Sequence, residues 1–132
     1  MLIRQLSIFL ENRKGKFAEI ARLLGNHNIN MKAFTVSESD DFGIARIIVD
    51  SQETERAYNI LKANSYAVSL NNVVYLNSPN KPGAMAIAME ELAKQHVSIE
   101  YMYAFADDDS NISHLVIRSN NDELANTILS EL

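Results

Sequence analysis

The chain has no cysteine and no tryptophan, and only two prolines, four glycines and three histidines. Without cysteine there is no disulfide, no thiolate nucleophile and no sulfur-ligated metal site. His27, His96 and His114 are scattered, without the close ligand spacing that a metal site needs. No stretch approaches the ~20 apolar residues required to span a bilayer. Basic residues are also scarce: 12 Lys and Arg stand against 17 Asp and Glu, giving a net charge of −5 and a pI near 5.1. Nucleic-acid binding relies on a basic stripe that neutralises phosphates, so this balance argues against it.

A hydrophobic content of 47% with 22% charged residues suits a packed core rather than disorder. At 132 residues the chain is long enough for one ordinary domain or two small ones. Its first residues, MLIRQLSIFLENR, carry Arg4 and Gln5 inside a short apolar stretch and have no small-residue cleavage site. That is not the pattern of a signal peptide, and a soluble cytoplasmic protein is expected.

The most informative feature is an internal duplication. Holding the offset between Gly15 and Gly83 without a gap also aligns Asn12 with Asn80, Ala18 with Ala86, and Leu24 with Leu92. Further along it aligns Ser51 with Ser119, Glu55 with Glu123, Ala57 with Ala125, Ile60 with Ile128 and Leu61 with Leu129. Conservative pairs such as Ile29 with Val97 and Val49 with Ile117 fill the intervals. The expected division is a first repeat over 1–70 and a second over 71–132.

Each repeat reads as strand, helix, strand, strand, helix. In the first, LSIFL has strand character, and Phe17, Ile20, Leu23 and Leu24 recur at helical spacing. INMKAFTVSE and GIARIIV flank the turn signal SDDF, and Ala57, Ile60 and Leu61 mark a second helix. The first repeat adds a last strand, SYAVSL; the second stops before its counterpart. The expected class is therefore α+β: duplicated ferredoxin-like βαββαβ units, antiparallel sheets with helices on one face, and a second repeat lacking its last strand.

That absence would leave an unpaired sheet edge. Only Asn71 and Asn72 separate SYAVSL from VVYLNS, and this pair suits a tight hairpin. Strand 65–70 would then lie between the two first strands and serve both repeats, in the order 29–38, 43–49, 2–10, 65–70, 73–78, 112–118, 97–106. The linker reaches on the order of 11 Å, so two sheets stacked face to face at ~10 Å remain an alternative.

Both repeats place N-x-x-G between first strand and first helix, as Asn12–Gly15 and Asn80–Gly83. The first amides of a helix lack intrahelical partners and sit at the positive end of its dipole. A carboxylate fits there if no side chain blocks its approach, and Asn can donate or accept beside it. Equally, Asn and Gly are good turn formers and nothing more. In the second repeat Pro82 stiffens the turn where the first has Lys14.

With SIFLENRKGKFAEIARLL, INMKAF, FGIARIIV, NSPNKPGAMAIAMEELAKQHVSIEYMYAF and HLVIR in view, the chain resembles tandem ACT-domain proteins over nearly its whole length. That resemblance implies a free-standing regulatory module that binds an amino acid between a first turn and the second strand of a neighbour. The implied ligand-binding residues are Asn12, Gly15 and Asn30 in the first repeat. In the second they are Asn80, Pro82, Gly83, Ala84, Ser98, Glu100 and Tyr101. No cofactor is implied, and exposed second-strand edges make a homodimer the expected assembly, with a regulated enzyme as a further possible partner.

Strict alternation puts Ile99, Tyr101, Tyr103 and Phe105 on one face of the second strand, with Ser98, Glu100 and Met102 on the other. Such an apolar stripe is expected to be core beneath the helices. Glu100 suits an ammonium group or simply solvent. Asp107, Asp108 and Asp109 lack the spaced ligands and glycine of a calcium loop and are expected in a solvated turn. Arg46, His114, Asp50 and Arg118 share outward parity with Ile48 and Val116, and with Phe9 that mixed face is expected to be partly covered.

No nucleophile–base order, metal cluster or phosphate loop supports an enzyme. The βαββαβ order also occurs in RNA-recognition domains, but the charge balance opposes that. The expectation is a non-catalytic, amino-acid-binding regulatory module acting by population shift. The alternative is a non-catalytic interaction subunit of an amino-acid biosynthetic enzyme, without a ligand of its own.

Overall fold

The computed structural model describes residues 1–11, 14–38, 42–106 and 111–132. Its elements are β1 (Leu2–Glu11), α1 (Lys16–Asn26), β2 (Ala33–Glu38), β3 (Phe42–Ile48), a 3-10 turn (Ser51–Glu53), and α2 (Thr54–Ala63). They continue with β4 (Ala67–Pro79), α3 (Ala84–Lys94), β5 (Ile99–Ala106), β6 (Ile112–Ser119) and α4 (Asp122–Ser130). Each repeat is thus an α+β unit of antiparallel strands and two helices. The hairpin turns expected at SDDF and at Asp107–Asp109 lie outside the described residues. No helix among the described residues is long and apolar enough to cross a membrane.

The chain forms two compact units: Arg4–Asn71, and Asn72–Leu132 together with Met1–Ile3. In the first, the strand order is β2-β3-β1-β4. Leu6 pairs with Ile47 and Ile8 with Ala45, while Val36 pairs with Ala45 from the other side. The alternating residues Leu6, Ile8, Leu10, Ala45, Ile47 and Val49 form one buried cluster with Ile20 and Leu24 of α1 and Ala57 and Leu61 of α2. Period-2 strands and period-3.6 helices here present single apolar faces to each other.

The second unit has the order β1-β4-β6-β5, with only the first residues of β1 belonging to it. Val74, Leu115 and Ile117 pack beneath Ala88 and Leu92 of α3 and Ala125, Ile128 and Leu129 of α4. Met1 exchanges both backbone hydrogen bonds with Tyr75: its amino group donates to the Tyr75 carbonyl at 3.0 Å, and the Tyr75 N–H donates back at 2.7 Å.

These facts revise the expected topology. There are six strands among the described residues, because 65–70 and 73–78 join into the single strand β4. Asn71 and Asn72 are absent from the positive-φ residues, so the left-handed backbone of a two-residue hairpin is not adopted. The Ser7 hydroxyl instead donates to Asn71 Oδ1 at 2.7 Å, holding that residue in the extended strand. β6 pairs with Val74–Pro79, which gives no support to a strand 65–70 shared by both repeats. A missing last strand in the second repeat is likewise not confirmed, since β4 finds a partner in Met1.

Three helices end in the same way. Asn28, Ser65 and His96 have φ of 60, 67 and 58°, and the next N–H in each case returns to a carbonyl in the last turn: Ile29 to Leu24, Tyr66 to Leu61, Val97 to Leu92. This Schellman arrangement satisfies the last carbonyls and brings an apolar residue back against the helix. It also removes 29–32 from the expected strand, so β2 begins only at Ala33.

β5 corrects the alternation argument. Ile99 pairs with Ser119 while Tyr101 pairs with Arg118, so two steps on β5 face one on β6. This bulge reverses the parity at Glu100. Ile99 and Met102 therefore pack against the helix-covered core. Tyr101, Tyr103 and Phe105 pair with Arg118, Val116 and His114, on the opposite face. The tyrosine stripe is not core beneath the helices.

Candidate functional site

Both first helices begin at a glycine in the left-handed region: Gly15 has φ 83 and ψ 1, Gly83 has φ 88 and ψ −15. A Cβ added to either would meet nothing within 4 Å, so the backbone conformation, not crowding, is what requires glycine. Neither helix start has a side-chain cap among the described residues. By contrast α4 is capped by Asn121, whose Oδ1 accepts from the Leu124 N–H at 3.1 Å. The starts of α1 and α3 lie at the positive end of the helix dipole, and the Ala84 amide already donates to the Lys81 carbonyl.

The Pro82 turn has a definite form. The Ala84 N–H donates to the Lys81 carbonyl at 3.3 Å, with Pro82 and then left-handed Gly83 between them. That is a type II turn, in which proline presets the first central position and glycine serves the second. Asn80 is fixed alongside, its N–H donating to the Asn111 carbonyl at 2.7 Å. Asn80, Pro82 and Gly83 are exposed and Ala84 is half-buried. Gly15 is exposed at the matching place, while Asn12 lies outside the described residues.

The expected second-strand residues sit elsewhere. Ser98 is tied to the β6–α4 turn: its N–H donates to Asn120 Oδ1 at 2.9 Å and its carbonyl accepts from the Asn120 N–H at 3.0 Å. Glu100 reaches to 3.7 Å from Arg118 Nε, and Tyr101 stands opposite Arg118 on the ladder. These three gather at one end of β6, whereas Pro79 pairs with Ile112 at the other. Eight residues of strand separate the ends by roughly 23 Å. Within the unit, Ser98, Glu100 and Tyr101 therefore do not meet Asn80–Ala84. Asn30 is exposed before β2, near Lys32, whose N–H donates to the Ile48 carbonyl at the far end of β3 from Phe42.

A feature missed in the sequence lies beside Gly15. A groove of about 600 Å³ runs along the first unit between the end of β1, the start of α1 and the exit of α2. Phe9, Glu11, Lys16, Glu19, Phe42 and Tyr66 line it. The Tyr66 hydroxyl donates to Glu19 Oε2 at 3.1 Å, and the Lys16 ammonium lies 3.5 Å from the same oxygen and 5.7 Å from the Tyr66 ring centre. The signal for it was available in the duplication: Lys16 and Glu19 align with Ala84 and Ile87, so the first repeat alone carries the charged pair.

On the helix-free face of the second unit the Tyr75 hydroxyl lies 2.5 Å from His114 Nδ1, and Asn77 Oδ1 lies 2.8 Å from the same nitrogen. Phe105 stacks on His114 with ring centres 4.7 Å apart. No group of three His, Asp or Glu among the described residues is arranged to hold a metal ion.

A family model for an ACT domain pair matches residues 1–131. The chain belongs to the ACT-domain-pair family. It is similar to a protein of Bacteroides thetaiotaomicron of known crystal structure, with 42% identity, a TM-score of 0.90, and coverage of 99% of this chain and 88% of that one. The ligand-free regulatory subunit of aspartate kinase from Thermus thermophilus shares the fold at 14% identity and a TM-score of 0.68, over 99% of this chain and 96% of that one. The Thermus flavus regulatory subunit does so at 13% and 0.66, over 99% and 94%. No curated protein matches the sequence. ACT-pair membership accounts for the duplication.

Proposed function

We propose that this chain is a non-catalytic regulatory module that binds a free amino acid at its strand-to-helix turns and thereby controls an assembly state or a partner enzyme. The observation that carries this reading is the pair of uncapped helix starts at Gly15 and Gly83, both left-handed, in equivalent places of a duplicated ACT fold. A carboxylate at such a start accepts hydrogen bonds from the first amides of the helix, which have no intrahelical partner. The regulatory subunits of aspartate kinase that share the fold support a regulatory role.

In this proposal Asn80, Pro82, Gly83 and Ala84 hold the ligand's backbone end, as Asn12 and Gly15 do in the first repeat. Ser98, Glu100 and Tyr101, or Asn30, come from a neighbouring copy, since within one unit they lie at the opposite end of the sheet. A homodimer follows from that requirement. β2 ends the strand order of its unit, and its Phe34 and Val36 are exposed. Cytoplasmic placement suits a sensor of free amino acids.

A thermal-shift panel of the twenty amino acids tests the proposal, with light scattering to follow assembly. At least one amino acid should raise the melting temperature, because a ligand bound only to the folded state stabilises it by mass action. Gly83→Val should remove that shift at the second-repeat turn while the far-UV spectrum is retained. A stable fold that responds to none of the twenty sinks the reading.

A further inference from the structure

We draw no further inference here: the strongest candidate, the apolar surface patch of Phe34 and Val36 at the sheet edge formed by β2, already serves the proposed homodimer, and nothing in the structure shows what covers it.

Discussion

The two repeats share a backbone and differ in what they place on it. Gly15 and Gly83 adopt nearly the same dihedral angles and open nearly the same helix start. The first repeat then sets Lys16 and Glu19 on that helix, where the second has Ala84 and Ile87. The second invests in rigidity, with Pro82 in a type II turn closed by the Lys81–Ala84 hydrogen bond. Duplication preserved the conformation that only glycine adopts readily and let the chemistry around it diverge. A backbone requirement is hard to replace, whereas an exposed side chain is replaceable at little cost in stability.

The largest effect is expected in the cores. Leu24 and Leu92 are equivalent and essentially fully buried. Leu24→Ala and Leu92→Ala should each cost about 3 kcal/mol, measured by urea denaturation. A large difference between them would show that the two cores are packed to different standards. Next come the glycines: Gly15→Val and Gly83→Val should each destabilise by about 1–2 kcal/mol, because a β-branched residue at positive φ is strained even where space is open. If either variant were neutral, the left-handed helix start would not be a fixed feature of that repeat.

Smaller effects separate the turns from one another. Ser65→Gly should stabilise the first unit by about 1 kcal/mol by relieving the left-handed position. Pro82→Lys, which writes the first repeat's residue type into the second, should cost less than about 1 kcal/mol through a more flexible unfolded chain. An unchanged midpoint would mean that proline contributes nothing beyond filling the turn.

Much of this was legible in the primary structure. The offset joining Asn12–Gly15 to Asn80–Gly83 announces two units, and the apolar spacing of Ile20 and Leu24 finds the helix face that the first core buries. Two devices escaped it. The bulge at Glu100 inserts one residue, and a period-2 argument carries that slip to every residue beyond it, so Tyr101, Tyr103 and Phe105 changed face. Asn71-Asn72 reads as a hairpin by local preference, yet pairing on either side made it the middle of β4. Local turn propensity is a weak term when extended pairing satisfies the same backbone groups.

The sequence by itself determined the repeat, the helix faces and the glycine turns, because periodicity and positive φ are properties of neighbouring residues. Only the tertiary structure decided that Met1–Ile3 belong with the second unit, that Ser98, Glu100 and Tyr101 lie a strand's length from Asn80–Ala84, and that Lys16, Glu19 and Tyr66 converge with Phe9 and Phe42 on one groove. These juxtapositions depend on pairing and packing between residues far apart in the chain, which no local pattern encodes.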